Sequence, residues 1–179
     1  MTSAGVADAG SSDVERAVAQ LRSVRSFEQL CRVVGFAARR VTGADGATFV
    51  VRDGDRCFYV DEDAIAPLWK GQRFPISQCI SGWPMQHAES AQISDIRVDP
   101  RIPQEAYRPT FVRSLVSVPV GLDDPIGAIG VYWDRIEQGL DEASLTALRR
   151  LAAEAEHAMR RLGLESAPWA PNFALDRVW

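Results

Sequence analysis

Cys31, Cys57 and Cys79, with His87 and His157, are the side chains of this sequence best suited to covalent or metal chemistry, and their surroundings narrow what they can do. Cys79 lies between an extended stretch and the start of a short helix, where the positive end of the backbone dipole would lower a thiol pKa and favour the reactive thiolate. Cys31 falls near the apolar face of an amphipathic helix and Cys57 begins a strand, so both read as small packing residues. No Cys-x-x-Cys pair occurs, and three unevenly spaced cysteines make no disulfide framework, which fits a reducing, cytoplasmic setting. The two histidines are far apart, with no second ligand at helical spacing, so no metal site is expected.

A second group of residues suggests binding instead of reaction. Trp83, Tyr107, Phe111, Tyr132 and Trp133 could line a site for a flat ligand, since small-molecule pockets are mostly apolar with a few placed polar groups; plain core packing accounts for them as well. Asp95, Asp99 and Arg101 could make a polar lid, although Asp-Pro and Arg-Ile-Pro are also ordinary turn chemistry. Arg108 and Arg113 flank a Pro-Thr-Phe segment and suit bidentate contact with an anion, or simple surface ion pairs. Trp169, Phe173 and Trp179 fall in a tail without periodicity and are expected to fold back or to dock on a partner.

These residues need a scaffold. The length of 179 residues and an apolar fraction of 46% suit one domain with one principal core. The net charge of −4 and the scattered basic residues offer no stripe for nucleic acid. No apolar run reaches the roughly 18 to 20 residues that span a bilayer, and the small, polar start lacks the pattern of a secretory signal. Neither a membrane nor a nucleic-acid partner is expected. Residues 1–12 should be mobile, 13–163 should form the domain, and 164–179 the aromatic, proline-bearing tail.

Periodicity places the elements. Asp13 is read as a cap for a helix carrying Val14, Ala17, Val18 and Leu21 on one face, and Ser26 with Gln29 as a capping box for a second that stops at Gly43. A β-hairpin is expected over 46–52 and 56–60 around Gly54, followed by a short strand in 71–76. Residues 81–88 should form a short helix capped by Ser81, with Pro84 near its first turn. Prolines 100, 103 and 109 forbid a long helix before the apolar run 115–120, although Phe111 can sit in a helical turn. A returning strand covers 126–133, in which Gly127 and Gly130 suggest close packing or a ligand near the backbone. Asp141 should cap the last helix, with Leu145, Leu148, Leu151, Ala152, Ala155, Met159 and Leu162 on one face.

In order, 73–83 (RFPISQCISGW), 95–103 (DIRVDPRIP), 107–120 (YRPTFVRSLVSVPV) and 125–133 (PIGAIGVYW) read as strand, loop-and-helix excursion and two adjacent strands. That order resembles a GAF domain of the type found in bacterial sensor histidine kinases, over about residues 27–162. The resemblance implies an α/β (α+β) fold: a central antiparallel sheet of five or six strands, with the N- and C-terminal helices on one face and a lid of loops and short helices on the other. It also implies a pocket under the lid, with Cys79, Ile80, Trp83, Tyr107, Phe111, Ser117, Tyr132 and Trp133 as its candidate ligand-binding residues.

The function so implied is sensory and non-catalytic. A small molecule of unidentified type would bind, leaving the cofactor unknown, and the terminal helices would pair in a homodimer. Past Leu162 the sequence shows no histidine-phosphorylation helix or ATP-binding segment, so output would pass to a separate histidine kinase, to another effector or through self-association. Phytochrome-like relatives attach a linear tetrapyrrole at a cysteine with a histidine neighbour, but Cys79 precedes Ile80. The Asn-Lys-x-Asp-Glu signature of cyclic-nucleotide-binding relatives is absent. Free methionine-R-sulfoxide reductase shares the implied fold, and a thiol reductase is the enzymatic alternative; its characteristic cysteine precedes a Gly-Thr pair, where this chain has Ser81, Gly82 and Trp83. A ligand-free interaction module, filled by its own aromatic rings, is the third reading.

Overall fold

The computed structural model describes residues 4–165, and within the first helix the side chains from Ser12 onward. Helices α1 (Ala4–Ser23) and α2 (Phe27–Thr42) lead into strands β1 (Gly46–Asp53), β2 (Arg56–Ala64) and β3 (Arg73–Pro75). Helix α3 (Gly82–His87), strand β4 (Ala91–Ile93) and helix α4 (Gln104–Tyr107) form the excursion; strands β5 (Ser114–Val120) and β6 (Gly127–Trp133) and helix α5 (Glu142–Arg161) complete the fold. The sheet order is β3-β2-β1-β6-β5-β4, and every neighbouring pair is antiparallel. This is the architecture that the sequence implied, with six strands.

Strand alternation divides the interior into two cores, because successive side chains on a strand point to opposite faces. Ala47, Phe49 and Val51 of β1, Val116 and Val118 of β5, and Ile129 and Val131 of β6 face α2 and α5, where Leu30, Val34, Leu148, Leu151 and Met159 meet them. Helix α1 packs onto α2 and α5 and closes that layer. Val50, Tyr59, Leu115, Ala128 and Tyr132 face the other way, into a second cluster with Ile80, Met85, Ile96, Ile102 and Tyr107 from the excursion.

The helix ends follow local chemistry. Ser26 Oγ accepts from Gln29 N at 3.2 Å, and the Gln29 side chain reaches back to Arg25 N at 2.9 Å, one residue outside the expected capping box. Asp141 Oδ1 accepts from Ser144 N at 2.7 Å, as expected; a cap of either kind contributes about 1 kcal/mol. Asp13 is not a cap. Helix α1 begins at Ala4, where Ala4, Ala7 and Ala9 supply the strongest helix-forming residue type, and Asp13 instead pairs with Arg16 at 3.0 Å and with Arg40 of α2 at 2.7 Å. The tail residues Trp169, Phe173 and Trp179 lie outside the described residues.

Three contacts hold the lid over the sheet. Glu62, on the lid-facing side of β2, accepts the backbone amides of Leu68, Trp69 and Lys70 at 3.0, 2.9 and 2.9 Å, which folds residues 65–72 inward. Asp95 meets the Arg113 guanidinium in a two-pronged pair at 2.8 and 2.9 Å, and Ile96 N donates to Arg113 O at 2.9 Å. These last two bonds join the beginning of the excursion after β4 to its end. Phe111 lies in the loop between α4 and β5, not in a helical turn.

Candidate functional site

The polar row under the lid begins with sheet register. Thr48 of β1 and Ser117 of β5 both pair with Gly130 of β6, so the three stand side by side on one face. Tyr132, two residues beyond Gly130 and on the same face, folds back over it. A Cβ at position 130 would collide with the Tyr132 hydroxyl and sit 3.0 Å from Thr48 Oγ1. The glycine therefore makes room for the protein's own tyrosine. Tyr132 Oη and Thr48 Oγ1 share a hydrogen bond of 2.9 Å, whereas the buried Ser117 Oγ has no partner among the described residues.

Above this row the aromatic rings converge on Trp69. Its ring lies 5.5 Å from Tyr59, 4.7 Å from Tyr107 and 5.5 Å from Tyr132, and its Nε1 donates to Ala106 O at 3.1 Å. Trp69 thus plugs the space beneath the lid and ties the plug to α4. Tyr59 Oη bonds Ser81 Oγ at 3.0 Å, which takes the Ser81 hydroxyl away from the expected cap role; Ser81 already has helical dihedrals. The Tyr107 hydroxyl is buried and without a partner among the described residues. Burial raises the pKa of Tyr59, Tyr107 and Tyr132 above the ordinary phenol value, so all three remain neutral donors.

A corner of thiols borders the rings. Cys57, expected as a packing residue, is buried on the lid side with its Sγ 4.0 Å from Met85 Sδ. The half-buried Cys79 packs against the same cluster, and the Cys57 thiol holds the Cys79 thiol below its ordinary pKa against the cost of burial, aided by the Gly82 amide, the Tyr59 hydroxyl and the Ser81 amide. The Cys79 thiol, followed by burial, pushes Cys57 up in turn. Gly82 is required here because a Cβ would run into the Ile76 carbonyl. Cys31 is on the opposite face of the sheet, where burial raises its pKa. Among the described residues no three His, Cys, Asp or Glu side chains gather to hold a metal ion, and no helix is long and apolar enough to cross a membrane.

Residues 24–160 match the family described as GAF domain. The chain belongs to that family. Its fold is similar to the GAF domain of an Acinetobacter phosphoenolpyruvate-protein phosphotransferase, with a TM-score of 0.74 and 16% identity over 86% of this chain and 94% of that one. It is equally similar to free methionine-R-sulfoxide reductase from Neisseria meningitidis, solved with its substrate, at a TM-score of 0.74 and 17% identity over 88% and 92% of the two chains. A third likeness is to JSC1_58120g3 with bound biliverdin IXa, at a TM-score of 0.66 and 19% identity over 84% and 99%. At these identities the likeness is one of fold. No curated protein matches the sequence significantly.

In this GAF domain, Ile80, Tyr107 and Tyr132 belong to the lid-side cluster, with Cys79, Trp83 and Phe111 packed against it, and Ser117 shares their face of the sheet. Trp133 does not. It follows Tyr132 in the same strand, so the pleat sends it into the helix-side core. Trp83 stacks on His87 at 4.3 Å, with the Arg101 guanidinium 5.4 Å from its ring, at the lid's outer side. Sequence reasoning missed Thr48, Tyr59, Cys57 and Trp69. Parity within the first hairpin could have placed Cys57 and Tyr59 together, but no periodic signal marks Trp69. A groove between α2 and β2 lies on the other face, and its acids are engaged: Asp61 with Lys70 at 2.8 Å and Asp63 with Arg39 at 2.9 Å.

Proposed function

We propose that this protein is a non-catalytic sensory GAF domain that binds a small, largely apolar molecule with at least one hydrogen-bonding group beneath its lid. The observation that carries the reading is the pair of buried hydroxyls, on Tyr107 and Ser117, that have no partner among the described residues. A buried polar group left without a partner costs about 1–3 kcal/mol, and a ligand that supplies the partner recovers that cost on binding. Trp69 occupies the space such a ligand needs, so binding would favour an arrangement in which Trp69 and α4 move outward. The shift can be no larger than the ligand's difference in affinity for the two arrangements. Occupancy would then pass through α1 and α5 to a second copy or a separate effector such as a histidine kinase. Three free cysteines suit a cytoplasmic setting.

A thermal-shift screen of the purified chain with tetrapyrroles, haem, cyclic nucleotides and amino acids, paired with an absorption spectrum, tests the proposal. A saturable rise in Tm that Ser117→Leu abolishes supports it. No shift with any class, and no colour, would favour the second reading, a self-filled interaction module, for which the close packing of Tyr59, Trp69, Tyr107 and Tyr132 speaks. Turnover of free methionine-R-sulfoxide by the wild type, lost in Cys79→Ser, would instead establish the reductase.

A further inference from the structure

We infer that the space beneath the lid is shaped for a neutral, flat molecule carrying a ring N–H, of the indole class, and that the Trp69 indole stands in for it. The inference deepens the sensory reading and rests on it only for the claim that such a molecule displaces Trp69 in the native chain.

The N–H follows from an acceptor that the local sequence leaves over. Ala106 O belongs to the four-residue helix α4, and neither amide that could continue the ladder reaches it. Position 109 is proline, which has no N–H, and Thr110 N donates to Tyr107 O at 2.9 Å. Trp69 Nε1 supplies the donor instead, at 3.1 Å. A molecule that takes the place of this ring must present its own N–H to the carbonyl or forfeit the bond.

The flatness follows from three tyrosines. The rings of Tyr59, Tyr107 and Tyr132 stand 5.5, 4.7 and 5.5 Å from the Trp69 ring, tilted to it by 59°, 58° and 66°. Such distances and tilts are those of attractive aromatic contacts, so another flat ring in this position meets the same three partners. Two of the walls are fastened from outside, Tyr59 to Ser81 at 3.0 Å and Tyr132 to Thr48 at 2.9 Å, and keep their places without Trp69. The Tyr107 and Ser117 hydroxyls, buried and without a partner among the described residues, are left to meet a polar substituent on the ring.

Neutrality follows from the charges. The one buried ionised side chain among the described residues is Asp61, which stands opposite Phe49 on the helix side and pairs with Lys70 at 2.8 Å. Charges at the border of the lid side are engaged as well: Glu62 with three loop amides, Asp95 with Arg113, and Asp99 with Arg101. An ionised ligand beneath the lid would lose its water and meet no opposite charge, a cost that ring contacts do not offset.

The test compares the full-length wild type with Trp69→Ala, in which the space of the ring is freed, by calorimetric titration. The probes are indole, benzofuran, which has the same shape with an oxygen in place of the N–H, indole-3-acetate, which is anionic, and tryptamine, which is cationic. Trp69→Ala should bind indole saturably and about tenfold more tightly than each of the three analogues. It should also bind indole about tenfold or more tighter than the wild type does, because there the resident ring must first leave. Equal binding of benzofuran or of a charged analogue, equal affinity of the two proteins for indole, or no binding of indole to Trp69→Ala would each overturn the inference. Should Trp69→Ala not fold, Trp69→Leu carries the same comparison. The wild type separates this inference from the sensory reading. Indole bound selectively by Trp69→Ala, with no ligand shifting the wild type, upholds the inference and sinks the sensory reading. A wild-type shift with a cyclic nucleotide or an amino acid, and indole bound by neither protein, does the reverse.

Discussion

The two faces of the sheet are built to different standards. On the helix side, three helices and four strands meet through apolar side chains, and the two buried polar residues on that face are both engaged, Asp61 with Lys70 at 2.8 Å and Ser114 Oγ with the Arg135 carbonyl at 2.7 Å. On the lid side, the same strands present Thr48, Tyr59, Ser117 and Tyr132 to a cover of short helices and loops that adds Cys79, Ser81 and Tyr107. Two of those hydroxyls have no partner among the described residues. A core meant only to hold the fold gains nothing from such groups, because each brings a desolvation cost that a methyl would not. The contrast indicates that stability is concentrated on the helix side and that the lid side is free to do something else.

The sharpest way to break this contrast is to truncate one large residue on each face. Leu148→Ala removes a fully buried side chain from between α5 and the sheet, where rigid helices prevent collapse, and should cost about 3 kcal/mol in urea unfolding, within the usual range of about 2–5. Trp69→Ala removes more volume from the lid side. It should nonetheless cost only about 2 kcal/mol, below the ~3–5 typical of buried tryptophan, because residues 65–72 can settle and the hydroxyls around the vacancy can accept water. A Trp69→Ala loss larger than that of Leu148→Ala would show that the lid side is a second load of ordinary core.

Tyr132→Phe comes next. It removes the hydroxyl that lies across Gly130 and leaves Thr48 Oγ1 buried without its 2.9 Å partner, so a loss of about 1 kcal/mol is expected in the same unfolding measurement. The double change with Thr48→Val should recover most of that loss, since both ends of the bond are then gone.

How far the sequence discloses this arrangement depends on which physical signal carries each part. Strand and helix periods are local, so the hairpin at Gly54, the helices capped by Ser26 and Asp141 and the two apolar strands were legible, whereas the side of the sheet on which the terminal helices pack came only with the resemblance to GAF domains. The lid-side site was half legible. Tyr132 and Trp133 are adjacent, and alternation alone says that one of them must face away; deciding which requires the register of β6 against β1 and β5, although Gly130, two residues before Tyr132, was a hint. Trp69 was invisible because its inward turn is made by Glu62 accepting three loop amides, a tertiary contact with no period.

A smaller effect concerns how the lid is clamped. The Arg113 guanidinium, with the Arg97 amide, holds the Asp95 carboxyl at about 2 against an ordinary 3.8. The folded value is the lower one, so the pair contributes stability that is fully present above about 3.8 and is lost as the pH falls through about 2. Asp95→Asn should therefore flatten the decline of Tm between pH 4 and pH 2 and lower Tm slightly at neutral pH, and raised salt should narrow the neutral difference. A wild-type and Asp95→Asn pair with parallel Tm profiles through that interval would mean that the clamp contributes nothing.

The smallest expected effect is the most informative about purpose. Tyr107→Phe removes a buried hydroxyl that has no partner among the described residues and leaves the ring packed 4.7 Å from Trp69, so the change should be neutral or stabilising by about 0.5 kcal/mol. The same substitution at Tyr132 costs stability, and this opposite response of two buried tyrosines in one cluster separates a hydroxyl that holds the fold from one that does not. If Tyr107→Phe instead destabilises by 1 kcal/mol or more, the Tyr107 hydroxyl is bonded in solution and the cluster is ordinary core. If it is neutral in the free protein yet weakens a ligand's thermal shift, the hydroxyl's purpose is the ligand.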